Sequence, residues 1–142
     1  MRSRGQVSQV VRFQLHSPVG ILESRMTLTY NRRHPLQVTA AFDATLVVDG
    51  RPAQWVIGRD LIADGLLGPV GIGDVRIFPH GDSTAIELYS GQENALLTVA
   101  TRDLAQFLDA TRALVPLGSE VPTINWRALT GVLQQPDSPC GP

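Results

Sequence analysis

Lysine is missing from this chain altogether: all 12 of its basic residues are arginine. That absence excludes a P-loop lysine on a nucleotide phosphate and any Schiff-base lysine, because both chemistries need an amine. Cysteine is almost missing too. Cys140, alone, sits in the terminal run Gln135–Pro142, so no intramolecular disulfide can form and the spacings of zinc-binding cysteines are absent. A reducing cytoplasm fits such usage, and Cys140 reads as a solvated thiol on a frayed tail. No long apolar run occurs. The N-terminus begins basic, but Arg12 and its alternating polar neighbours interrupt anything resembling a signal peptide or a membrane span, which predicts no direct membrane insertion. Aromatic residues make up only 6% of the chain, few for a protein that stacks on nucleic-acid bases.

The 142 residues, 43% of them hydrophobic, suit one globular domain. A chain of this length buries roughly 70% of the surface exposed by its unfolded form. The net charge of −1 argues against a polyanion binding the protein as a whole. Charge is unevenly placed, however: residues 1–51 hold seven arginines against three acids, and the remainder holds five arginines against ten acids.

Hydrophobic periodicity supplies the fold class. Val11, Phe13 and Leu15 alternate with Arg12, Gln14 and His16, the period-two signature of a half-buried strand. Similar strands run through Met26–Tyr30 and Val38–Phe42, punctuated by turns at Ser17–Gly20 and Asn31–Pro35. Asp49-Gly50 marks a hairpin leading into Ala53–Ile57. Asp60 is placed to cap a short helix over Leu61–Leu67, and Val70–Phe78, Ala85–Tyr89 and Ala95–Ala100 read as three further strands. Thr101 is placed to cap a helix carrying Leu104, Phe107, Leu108 and Leu114, and Asn125 a last one through Leu133. The expected order is four strands, helix, three strands, helix, helix. That is an α+β fold with helices segregated from an antiparallel sheet.

Glycines crowd the stretch Trp55–Pro79, at 65, 68, 71 and 73. A dinucleotide loop needs strand, G-x-G-x-x-G, then helix. Here Gly71 and Gly73 begin the pattern, position 76 is arginine, and the segment runs from helix into strand. Gly65 and Gly68 suit helix termination, with Pro69 forbidding continuation. Gly71 and Gly73 allow a bulge or close packing. No cofactor site is expected. Gly81-Asp82-Ser83-Thr84-Ala85 lacks the last glycine of a nucleophile elbow and lies between strands. His16, His34 and His80 are far apart in sequence, and Asp60 and Asp64 are explained by capping and solvation. The chain therefore reads as non-enzymatic, with no catalytic, cofactor or metal residues. Arg32 and Arg33, in a turn after Tyr30, are candidates for contact with an anionic partner. Trp126, near a helix start, is a candidate contact residue, whereas Trp55 and Phe78 are expected in the core.

Several of these residues carry a resemblance. Trp55-Val56, the run Arg59–Leu66, and Pro69-x-Gly71-x-Gly73-Asp74-Val75-Arg76-Ile77-Phe78-Pro79 resemble the SsgA-like family of sporulation and cell division regulators from filamentous actinobacteria. The likeness continues through Ala95–Leu97, Leu104, Phe107-Leu108 and Thr111. It extends to Val115-Pro116-x-Gly118-x-Glu120 and Leu129–Leu133, with looser matches at Leu28, Tyr30, Pro35, Val38, Ala40 and Phe42. About four fifths of the chain is covered. Gly58 stands in place of an alanine, Phe78 in place of a tryptophan, and the tail after Gln135 matches nothing. A single SsgA-like domain over residues 1–135 is expected, with 136–142 as a flexible tail.

The resemblance implies a whirly-like fold with a repeated four-strand-plus-helix topology and no enzymatic activity. It implies a cytoplasmic protein at division septa that helps position or promote the FtsZ ring during sporulation. The implied partners are FtsZ or another division protein, membrane-attached paralogues, and further copies of the chain in a homotrimer. The alternative is a single-stranded nucleic-acid-binding module of the same fold. The +4 charge of residues 1–51 favours it and the acidic remainder opposes it.

Overall fold

The structure is a computed structural model that describes residues 2–3, 5–43, 47–48, 51–91, 93–116 and 118. The N-terminal half is built on a long hairpin, β2 (Gln6–Ser17) and β3 (Gly20–Asn31), preceded by the short β1 (Arg2–Ser3). Pro18 and Val19 form its two-residue loop, and Gly20 there takes a φ of 144°, which a side chain would resist. β4 (Gln37–Phe42) pairs with β3, and β7 (Gln54–Gly58) pairs with β4. Between them β5 (Val47–Val48) and β6 (Arg51–Pro52) form a separate two-stranded ribbon around Asp49-Gly50, whose own turn lies outside the described residues.

Helix α1 (Arg59–Gly65) follows β7. The C-terminal half then runs β8 (Val70–Ile72), β9 (Val75–His80), β10 (Ser83–Ser90), β11 (Glu93–Ala100) and α2 (Thr101–Leu114). All pairings are antiparallel, in the order β7-β4-β3-β2-β11-β10-β9-β8, with β1 beside β2. The halves join where Phe13–His16 of β2 meets Leu96–Val99 of β11.

Register explains the core. Val7 faces Tyr30, Tyr30 faces Val38, and Val38 faces Ile57, so one row of apolar side chains crosses four strands on one face. Leu97, Ile86 and Ile77 continue a row through the other half. Phe13 and Phe42 meet edge to face, their centroids 5.4 Å apart. Leu104, Phe107, Leu108 and Thr111 of α2 are buried, and α2 packs on β2, β10 and β11.

Chain length forces the sheet to curl. Eight strands laid flat would separate the edges β7 and β8 by roughly 34 Å. The link between those edges is the seven-residue α1 and residues 66–69, with a reach of about 27 Å at full stretch. Accordingly α1 touches β7, β8 and β9 together, and also α2. It bridges the two edges of a curled, open sheet.

Several sequence expectations are corrected by this geometry. Val70–Phe78 is two strands, because Gly73, with φ 59°, turns the chain between β8 and β9. Asp60 does not cap α1: the N-cap is Gly58, and Asp60 lies in the first turn. Thr101 does not cap α2: the N-cap is Ala100, and the Thr101 hydroxyl pairs with Thr84 Oγ1 at 2.9 Å. Gly65 and Gly68 take no left-handed conformation. Gly65 instead lets α1 lie against Ile77, whose Cγ2 is 2.2 Å from where a Cβ would stand. Trp55 and Phe78 are half-buried, Trp55 packed against the core. The helix expected from Asn125, the boundary at 135 and the tail with Cys140 lie outside the described residues. Among the described residues no helix is long and apolar enough to cross a membrane.

Candidate partner-binding surface

The turn between β3 and β4 is held from several sides. Within it, the Asn31 side chain accepts the Arg33 N–H at 2.8 Å, and the Asn31 carbonyl accepts the His34 N–H at 2.9 Å. The Gln37 N–H reaches the His34 carbonyl at 3.2 Å. From outside, the Gly5 carbonyl accepts the Arg32 N–H at 2.8 Å, and the Arg59 N–H donates to the Leu36 carbonyl at 2.9 Å. From below, the hydroxyl of buried Tyr30 donates to the Pro35 carbonyl at 2.9 Å. On this fixed backbone Arg32, Arg33, His34 and Leu36 are exposed. Neither guanidinium has an ion pair or a side-chain hydrogen bond among the described residues. The structure thus brings Arg32 and Arg33 together at the surface. Trp126 lies outside the described residues.

Beneath the turn lies a residue that sequence reasoning missed. Arg59 opens α1 and is 1% exposed. Its guanidinium stacks over the Tyr30 ring, 4.9 Å from the centroid. Nη1 donates to the Val115 carbonyl at 2.7 Å, and more loosely to the Thr111 carbonyl and hydroxyl at 3.3 and 3.4 Å. These acceptors sit at the C-terminal end of α2, where the last carbonyls lack further helical donors and the dipole favours a cation; the Thr111 carbonyl also takes the Val115 N–H. Arg59 therefore ties α1 to the end of α2. Periodicity does not distinguish it from a solvated arginine, and the run Arg59–Leu66 marks it without giving it a role.

The other candidates remain dispersed. Ser83 and His80 face each other across the β9–β10 turn as register partners, but among the described residues no hydrogen bond joins their side chains. His16 Nε2 pairs with Thr98 Oγ1 at 3.0 Å, and His34 is in the β3–β4 turn. An open recess of about 630 Å³ beside the β9–β10 turn is lined by Leu66, Asp82, Ser83, Thr101 and Arg102 among others. Gly71 lies in β8 and Gly73 in the turn after it, so strand follows both where a phosphate loop would need a helix. Among the described residues no three His, Cys, Asp or Glu side chains gather as a metal site.

Comparison with known proteins decides the lineage. The family model described as Streptomyces sporulation and cell division protein, SsgA, matches residues 25–120, a span holding the curled sheet from β3 onward and both helices. The chain belongs to the SsgA family. Within the family it is 40% identical over 101 residues to the sporulation-specific cell division protein SsgB of Saccharopolyspora erythraea, covering 68% of each chain. Against SsgB of Streptomyces coelicolor it is 40% identical over 97 residues, or 66% of this chain and 69% of that protein.

Solved structures agree. The SsgA-like sporulation-specific cell division protein of Thermobifida fusca superposes with a TM-score of 0.76 at 31% identity, covering 93% of this chain and 98% of the other. An SsgB structure connected with longitudinal cell division during sporulation of Streptomyces coelicolor gives 0.71 at 36% identity, over 81% and 92%. The antiparallel sheet with two helices is thus the architecture of SsgA-family proteins, and relatives named for sporulation and cell division support a division role.

Proposed function

We propose that this SsgA-family protein is a non-enzymatic regulator of sporulation-specific division. It works in the cytoplasm at septa and helps localise or promote FtsZ ring assembly through protein–protein contact. The observation that carries the reading is the family match over residues 25–120. The partner is FtsZ or another division protein, with membrane-attached paralogues as companions, and the working unit is a homotrimer. The chain order supports a whirly-like repeat: β2, β3, β4, β7 and α1 are followed by β8 to β11 and α2. Arg32 and Arg33 contribute to the partner contact, as does Trp126.

Sedimentation tests this directly. Polymers of FtsZ from the same organism, with membrane-attached paralogues present or absent, should carry the purified protein into the pellet. Protein that stays in the supernatant under both conditions refutes the proposal. Light scattering should return three times the protomer mass, and a monomeric mass would overturn the trimer.

A further inference from the structure

The division-protein reading leaves open what kind of surface the partner presents, and the β3–β4 turn answers with specific chemistry. Its two exposed guanidiniums lack a carboxylate among the described residues. Leu36, in the same turn, is 51% exposed. The turn's backbone is bonded at Arg32 to Gly5, at Pro35 to Tyr30 and at Leu36 to Arg59. A flexible loop would lose conformational freedom on binding; one already fixed loses little, so its charges act at closer to full strength. We infer that this turn docks an acidic linear segment of a protein partner, with carboxylates on Arg32 and Arg33 and an apolar side chain against Leu36. The inference rests on the division-protein reading for the partner's identity, but not for the chemistry.

Charge and stacking favour a peptide over nucleic acid. Asp60, exposed in the first turn of α1, follows the residue whose N–H holds Leu36, so a carboxylate borders the patch. That carboxylate repels any anion, so a short segment whose charges stop at the two arginines avoids what a continuous polyanion meets. Base stacking needs an exposed aromatic face. The aromatic residue at this turn, Tyr30, is fully buried. Arginine's planar fork, in contrast, matches carboxylates two hydrogen bonds at a time.

Fluorescence anisotropy with the full-length protein tests this. The probe is a labelled peptide of repeating Glu-Glu-Leu, compared with its Lys-Lys-Leu counterpart and with oligothymidylate. The wild type should bind the acidic peptide in preference to both others. Arg32→Glu/Arg33→Glu should weaken that binding by at least about tenfold, and Leu36→Ser by a few fold. The Lys-Lys-Leu peptide should bind the charge-reversed variant better than the wild type, a swap that a folding defect does not produce. Among the described residues both arginines donate to the fold only through main-chain N–H groups, which glutamate retains. Unchanged acidic-peptide binding by the charge-reversed variant overturns the inference. So does tighter binding of oligothymidylate that the same variant loses, which assigns the turn to nucleic acid. In the FtsZ pelleting assay, co-sedimentation of both wild type and variant overturns the docking turn and leaves the division reading standing. Failure of the wild type to pellet removes the division reading, while the peptide comparison still decides the turn.

Discussion

Replacing Gly65 with alanine sets two opposing effects against each other, and the structure decides between them. Alanine is the better helix former by about 0.8–1.0 kcal/mol in a helix interior. Gly65 is the last residue of α1, so that gain is partial. Against it stands contact with Ile77, which is fully buried: an added Cβ falls 2.2 Å from Ile77 Cγ2 and 2.6 Å from Ile77 Cβ. Carbon atoms rest comfortably at about 3.5–4.0 Å, so helix and strand must separate by more than 1 Å or so. Ile77 Cβ is fixed to the β9 backbone and cannot swing away. Overpacking of this kind costs about 1–3 kcal/mol, and with both contacts so short the upper half of that range applies.

The net effect is a loss of about 2 kcal/mol, or a fall in Tm of roughly 6–10 °C for a domain of this size. Thermal unfolding followed by circular dichroism, at one fixed protomer concentration, measures it. Ile77→Ala alone opens a cavity and costs about 2–5 kcal/mol. Combined with Gly65→Ala, it removes the Cγ2 clash while the Cβ contact remains, so the double variant should be more stable than the sum of the two losses by about 1 kcal/mol. A Gly65→Ala protein as stable as the wild type, or two losses that simply add, refutes the close approach of α1 to β9.

Substitutions at two further residues probe the layer under the β3–β4 turn. Arg59→Met removes the donor from the Val115 carbonyl and the cation from the Tyr30 ring; a loss of about 2–4 kcal/mol in urea unfolding is expected, with faster hydrogen exchange at Val115, whose N–H bonds Thr111. Arg59→Lys should recover only part of it, because an ammonium lacks the planar face that stacks over the Tyr30 ring, and full recovery would count against that stacking. Tyr30→Phe leaves the buried Pro35 carbonyl without its hydroxyl partner and should cost about 1 kcal/mol. Exchange at Arg33 and His34 should quicken with it, and unchanged protection there would show that the turn does not depend on Tyr30.

How far the sequence could be read follows from which signals are local. Period-two alternation placed β2, β3 and β4, because on a half-buried sheet each side chain reports its own face. The apolar spacing of Leu104, Phe107 and Leu108 placed α2 for the same reason. Val70–Phe78 reads as one apolar stretch, but Gly73-Asp74 shifts its alternation from Val70 and Ile72 to Val75 and Ile77, and that phase change marks the turn. Thr101 has the chemistry of a cap, yet its hydroxyl is taken by Thr84 on a neighbouring strand, a partner invisible along the chain. Gly65 resembled a helix stop for the same reason: the Ile77 side chain it accommodates is twelve residues away. Arg32 and Arg33 were legible as exposed cations since turns face water, whereas buried Arg59 depends on acceptors more than 50 residues distant. Recognising the family added the division role, which no spacing in the chain encodes.

The seam between β2 and β11 has a consequence for biosynthesis. Residues that meet there are separated by 80 to 86 positions, so a ribosome adding roughly 5–20 residues per second makes β2 about 4–17 s before its neighbour. Throughout that interval the nascent hairpin carries a bare main-chain margin, protected at one end by the two residues of β1. An unpaired margin is a template for pairing with another chain, and that exposure ends once β11 arrives.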